Sequence, residues 1–125
     1  MKALSIRQPW AFHIFHSGKD IENRAWPTRF RGRVLIHAAK GMTRAEFAEG
    51  THPLVLPAGN VKFPLWADLQ RGGIVGSVEI VDCVTQSESG WFFGPYGFVL
   101  RDPQVLPFRP LKGALGFFEV PDEPH

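Results

Sequence analysis

The residues best equipped for chemistry fall in one stretch, RQPWAFHIFHSGKDIENRAW, Arg7 to Trp26. It holds a Gln-Pro-Trp turn, two histidines, a Gly-Lys and a Glu-x-Arg. A run that only fills a core has no use for that many polar groups. Trp10 offers a stacking face for a planar base, worth about 1–3 kcal/mol per base in single-strand binders. Its other use is as a core anchor with its indole N–H satisfied. Gln8 and Trp10 flank a helix start, where free N–H groups and the positive dipole end suit anions. Period-two spacing along an extended Lys19–Trp26 puts Glu22, Arg24 and Trp26 on one face. Lys19, Ile21 and Asn23 fall on the other. If buried, Glu22 and Arg24 form a polar network that holds a side chain for recognition. If exposed, they are a surface pair of little weight. A bulge after Gly18 would turn Lys19 toward the Glu22 face.

Other groups carry weaker signals. His13 and His16 share a helix face at i, i+3, but two histidines do not make a metal site without further ligands at suitable spacing, so no metal is expected. His37, in the strand VLIHAAK, reads as a structural histidine unless other residues join it. Glu79 lies in the apolar strand GSVEIVDCV and, half-buried, would need a basic partner, with Lys19, Arg24 and Lys40 as candidates. From Asn23 to Ala45 there are six basic side chains and no acid, and Arg29, Arg31 and Arg33 crowd one loop. Such a block suits phosphates. It equally suits pairing with acids elsewhere, because residues 1–62 sum to +6 and residues 63–125 to −4.

The elements that must position these groups are short. Ala3–Ile6 reads as a first strand. Pro9 opens a helix, with Ala11, Ile14 and Phe15 on one face and Gly18 as its stop. Val34–Ala39 is a buried strand. Thr43-Arg-Ala-Glu46 is a capping box opening a helix to about Glu49. Residues 51–73 read as a long irregular connection with a helical turn near Trp66–Gln70. Gly73–Val84 alternates as a strand, and Phe98–Arg101 and Gly116–Val120 complete the set. Eleven prolines and thirteen glycines punctuate these elements. The sum is an α+β fold, a small mixed barrel of about five or six strands with two or three short flanking helices.

The chain has 125 residues, 44% hydrophobic and 21% charged, which predicts one domain over 1–125 with a core sufficient without disulfides. One cysteine, Cys83, excludes an internal disulfide framework. No run approaches the roughly 20 apolar residues of a membrane span, and MKALSIRQPW lacks the apolar core of a signal peptide. A cytoplasmic monomer is the expectation. No Walker loop, G-x-G-x-x-G, H-E-x-x-H, G-x-S-x-G or zinc-type cysteine pair occurs, which argues against triphosphatase, dehydrogenase and zinc hydrolase chemistry. No cofactor is expected.

In order, LSIRQPWA, GKDIENRAW, RGRVLIHAAK, GSVEIVDCV and, more loosely, LKGALGFFEV resemble the ASCH (activating signal cointegrator homology) domain family of the PUA-like superfamily. The resemblance spans residues 4–120 and implies a PUA-like β-barrel with a cleft lined by the first helix, the Gly-Lys-x-x-Glu-x-Arg segment and barrel strands. It implies an RNA, single-stranded nucleic acid or nucleoside-type ligand and places Gln8, Pro9, Trp10, Lys19, Glu22, Arg24, Trp26, His37 and Lys40 around the cleft. Glu79 would reach in from the barrel, and Arg29, Arg31 and Arg33 would touch phosphate. The chain also resembles small acetylcytidine amidohydrolases of this family at Lys19 and Arg24. Those enzymes use a Lys, a Thr and a downstream Glu. Here the Thr position is Glu22, and Glu88 lies in roughly the region of the Glu without aligning to it. The primary expectation is therefore a binding module. The alternative is a hydrolase acting on a nucleoside amide or RNA through Lys19, Glu22 and Glu79. A third use of the basic loop is an acidic protein partner.

Overall fold

The structure, a computed structural model, describes residues 1–53, 55 and 63–121. Six strands form one mixed sheet curled into a half-barrel. In chain order the elements are β1 (Lys2–Ile6), α1 (Trp10–His16), β2 (Ile21–Arg24), β3 (Gly32–Ala38) and α2 (Arg44–Gly50). A single 3-10 turn (Trp66–Asp68), β4 (Gly73–Val84), β5 (Tyr96–Pro110) and β6 (Phe117–Glu119) follow. The spatial order is β2-β5-β4-β3-β1-β6, with β1 and β3 parallel and the other pairings antiparallel.

The alternation of apolar residues decides what each face does. Leu4 and Ile6 of β1, Val34, Ile36 and Ala38 of β3, and Val78 and Ile80 of β4 point inward. They meet Ala11 and Ile14 of α1 and Phe98 of β5 in the main core. Phe98 is fully buried, and removing such a side chain from water contributes about 1.5–3 kcal/mol. The opposite face of the same strands carries Ala3, Leu35 and Ile74, packed with Leu111, Phe118 and Val120 in a second, smaller cluster. The sheet is therefore covered on both sides, and its polar residues fall into two separate settings.

Most of the expected elements stand within a residue or two of their predicted bounds. The capping box of α2 is complete: the Thr43 hydroxyl accepts from Glu46 N–H at 3.0 Å, and the Glu46 carboxylate accepts from Thr43 N–H at 2.8 Å. Of the expected connection over 51–73, residues 54 and 56–62 lie outside the described residues, and the helical turn expected near Trp66–Gln70 is the 3-10 turn Trp66–Asp68. The large departure is β5, expected over Phe98–Arg101 and observed over Tyr96–Pro110. Pro103 and Pro107 lie inside this longer strand. β2 pairs with β5 only as far as Val99, so the later part of β5 is a sheet edge, where proline is tolerated. The register shifts between Ser77 and Glu79 of β4, and Asp102 takes φ 50°, a left-handed conformation that Asp tolerates at such a bulge.

The two outer strands, β2 and β6, share no ladder. Side chains close the gap instead. β6 pairs with β1 only over Lys2–Leu4, and the Ser5 carbonyl beyond it accepts from Arg24 Nη2 at 2.8 Å. Trp26 sets its ring edge-on to Phe98 and Phe117, with centroids 5.4 and 5.9 Å away. Phe98 and Phe117 stack with an interplanar angle of 9°.

Candidate functional site

Lys19 is the centre of the site. Gly18, at φ 73°, ends α1 in a conformation that an L side chain resists, and Lys19 N–H then bonds back to the His13 carbonyl at 3.0 Å. That reversal places Lys19 ahead of β2, outside its alternation. Its ammonium reaches the Glu22 side, the outcome anticipated for a bulge at this point. Lys19 is only 5% exposed. Its Nζ donates to the Ile21 carbonyl, lies 3.9 Å from Glu22 Oε1, and sits 5.9 and 5.6 Å from the ring centroids of Trp10 and Trp91. Two indole faces and one carboxylate therefore stabilise a cation that water hardly reaches. Burial pushes the Lys19 pKa below the ordinary lysine value, the charges of Glu22 and Asp20 pull it back, and Arg24 adds to the lowering.

Glu22, Arg24 and Trp26 share the inner face of β2, as period two requires. Glu22 Oε2 accepts from Arg24 Nε at 3.1 Å and is 2.9 Å from Arg24 Nη2. One carboxylate thus serves two cations, and Oε1 on the Lys19 side remains a hydrogen-bond acceptor. Arg24 also lies 5.8 Å from the Trp26 ring, so Trp26 belongs to the seam between β2 and β6.

A pocket of about 520 Å³ opens over this pair, walled by Trp10, Phe93, Glu49, His52 and Val55, with Lys19, Glu22 and Asn23 in its lining. The wall formed by the loop after β4 was not anticipated from sequence. Asn23 builds it. Its Nδ2 donates to the Trp91 carbonyl at 2.9 Å, and its Oδ1 accepts from Phe93 and Gly94 N–H at 2.8 and 3.0 Å. Ser89 Oγ bonds Asp20 Oδ1 at 2.5 Å. Phe93 is left 73% exposed at the rim. The aromatic triplet next to two glycines was the available signal, but only the fold brings it to Lys19.

Underneath, His13 is fully buried. Its Nε2 faces the Gly50 carbonyl at 2.7 Å and must carry the proton, so Nδ1, 2.8 Å from Ser17 Oγ, accepts from that hydroxyl. Burial lowers its pKa, and the Lys19 charge adds to this against the Gly50 bond. His13 is a neutral tie between α1 and the end of α2, while His16 is exposed. Among the described residues no three His, Cys, Asp or Glu side chains gather as a metal would need.

Other predicted residues lie elsewhere. Gln8 is 3% exposed; its Oε1 accepts from Phe12 N–H at 2.9 Å and its Nε2 donates to the Gln70 carbonyl at 2.8 Å, so both ends of the amide are used internally. Pro9 is buried beneath the start of α1. Glu79 is exposed, because its neighbours Val78 and Ile80 take the inner face of β4. It is registered opposite Arg33 and Arg101 and does not reach Lys19, Arg24 or the cleft. Glu88 is exposed in the loop after β4. Arg31 bonds the Thr28 and Phe30 carbonyls and lies 3.6 Å from Asp82. Arg33 holds Ser77 Oγ at 2.9 Å and Asp102 at 2.5 Å. These two arginines meet acids of the second half, while Arg29 is exposed. His37 and Lys40 line a second pocket and not the one beside Lys19.

A half-barrel with a helix at its mouth and a buried Lys-Glu-Arg cluster between helix and strand defines a PUA-like α+β fold. The ASCH domain family model matches residues 4–102, and the chain belongs to that family. It is 31% identical over 134 aligned residues to human Activating signal cointegrator 1, and 30% identical over 134 to the mouse protein of that name. Each alignment takes in 98% of this chain but only 22% of the relative, so the chain spans about a fifth of their length. Among the described residues no helix is long and apolar enough to cross a membrane.

Proposed function

We propose that the cleft beside Lys19 recognises a nucleobase, either in single-stranded RNA or on a free or modified nucleoside. The supporting observation is the buried Lys19 ammonium held 3.9 Å from Glu22 Oε1 at the base of an aromatic-rimmed pocket. A flat heteroaromatic ring fits between Trp10 and Phe93, gaining stacking energy of about 1–3 kcal/mol. Its edge then meets a donor on Lys19 and an acceptor on Glu22 side by side, which suits a base presenting an acceptor next to an N–H. Arg24 and Asn23 stay within the protein as positioning groups, one holding the carboxylate and the other the aromatic loop. Arg29 supplies exposed positive charge for a backbone, so affinity falls with added salt.

Titration of labelled single-stranded RNA oligomers at low and moderate salt tests this, with free nucleosides as competitors. Absent binding, or binding that survives Trp10→Ala and Lys19→Ala together in a folded protein, removes the proposal.

A hydrolytic reading has one observation in its favour, the burial-lowered pKa of Lys19, which suits a general base. Lys19 would take a proton from water as the oxygen attacks the acetyl carbonyl, and would return it to the exocyclic amine as the C–N bond breaks, with Glu22 holding the substrate edge. Release of acetate from an acetylated nucleoside, at a rate that rises with pH through a pKa below the normal lysine range, is the expected result. Turnover that persists in both Lys19→Ala and Glu22→Gln rules this reading out.

A further inference from the structure

The pocket that takes in His37 and Lys40 lies on the outer face of the sheet. Leu4 and Ile6 of β1 and Ile36 and Ala38 of β3 belong to the main core, so Ser5 and His37 between them point the other way. The pocket measures about 680 Å³, within the range of small-molecule sites. Its walls are fixed within the protein. His37 Nε2–H donates to the Leu111 carbonyl at 2.7 Å, and Nδ1, 3.0 Å from Ser5 Oγ, accepts from that hydroxyl. Leu111 N–H bonds the Gly72 carbonyl at 3.1 Å. Gly113 lies flat on the imidazole: a β-carbon there would stand 2.5 Å from His37 Cε1.

The chemistry of the lining is one-sided. Both nitrogens of His37 are used and the residue is only 2% exposed, so it closes the pocket without presenting a polar atom. Ala39, Leu111, Ala114 and Leu115 supply the apolar surface, and the Leu115 side chain is 99% exposed at the edge. The lining has two charges, Lys40 and Lys112; both are exposed and have no ion-pair partner among the described residues. No aspartate or glutamate lines the pocket, so a cationic ligand would meet repulsion and nothing to offset it. We infer that this is a second binding site, separate from the Lys19 cleft, for a small amphipathic anion: a carboxylate or phosphate carried on an apolar or aromatic body. The body lies on Leu111, Ala114 and Leu115, and the anion faces the two lysines. The inference stands on these residues alone and does not depend on the nucleobase reading.

Anilinonaphthalene sulfonate has this chemistry and reports its own burial by fluorescence. The expected result is saturable binding of one probe per folded chain, with amide shifts at Ala39, Lys40 and Lys112–Leu115. Phenylnaphthylamine, the same body without the sulfonate, binds about tenfold more weakly, and Lys40→Glu with Lys112→Glu weakens the sulfonate by a similar factor. Both substitutions are at exposed positions and leave the melting temperature in place. Displacement by dodecanoate marks a carboxylate site, and displacement by phenyl phosphate a phosphate site. Four results overturn the inference: no saturable binding, shifts confined to Trp91–Phe93, equal affinity for the uncharged body, or displacement by neither competitor. Sedimentation gives a fifth: self-association abolished by Leu115→Asp would assign the face to a second copy of the chain.

Discussion

In the cleft beside Trp10 the central charges, Lys19 and Glu22, are buried and already partnered; in the pocket beside His37 the charges are exposed and unpartnered. Both lie against the same sheet, one at its inner face and one at its outer, yet the cost of building them differs. Lys19, Glu22 and Arg24 had to lose their water, which is recovered only through mutual pairing, the Ile21 and Ser5 carbonyls and the indole faces. Lys40 and Lys112 keep their water, and their pocket is shaped by backbone contacts around Leu111 and Gly113. A buried, satisfied cluster fixes geometry and tolerates little change. An open one tolerates change and selects weakly, by sign of charge and by shape.

That contrast is broken or sharpened most by Glu22→Ala. It strands two cations at once and should cost about 3–5 kcal/mol in urea denaturation. Lys19→Met should cost clearly less, because Glu22 keeps Arg24. Equal losses would mean that Lys19 and not Arg24 is the principal partner. Next comes Gly113→Ala, which pushes a methyl into the His37 ring and should cost about 1–3 kcal/mol. It should alter the outer pocket while leaving any RNA affinity of the cleft unchanged, so a joint loss would show that the two sites are coupled. Trp10→Ala should weaken RNA binding by about 1–3 kcal/mol in the same titrations, with no change in binding of the anionic probe.

The smallest effect belongs to an ion pair outside both pockets. Arg7 holds the Glu46 carboxyl down to about 2, with a bond of 2.7 Å from Nη2 to Oε1. Because the folded value lies below the unfolded one, the stabilisation is complete above about pH 4.5 and is lost as pH falls toward 2. Arg7 is nearly half exposed, so solvent screening limits the effect to about 0.5–1 kcal/mol. Thermal melts across that range should show a matching acid-side loss in the wild type, reduced in Arg7→Met.

What was legible in the sequence divides along similar lines. Local rules sufficed where the chemistry is local: the Thr43–Glu46 box, the alternating Gly73–Val84 strand, and Glu22, Arg24 and Trp26 on one face. Family resemblance carried the half-barrel. Period two separates the faces of a strand but does not say which is inner. The resemblance put Glu79 and His37 at the cleft, and the faces decide otherwise: Glu79 is exposed, and the sheet lies between His37 and Lys19. The length of β5 was hidden because its prolines are harmless only on an edge, and edges are decided by partners far away in sequence. The Trp91–Phe93 wall needed Asn23, nearly 70 residues earlier, to hold it.

Arg24 gives the seam between β2 and β6 a meaning for design. The same guanidinium laces the half-barrel to Ser5 and holds the carboxylate of the cleft. The setting of the cleft's carboxylate and the closure of the half-barrel therefore depend on one side chain, and a redesign that retunes one retunes the other. The outer pocket carries no such debt: its lysines could be exchanged freely, making it the natural place to graft a new specificity onto this scaffold.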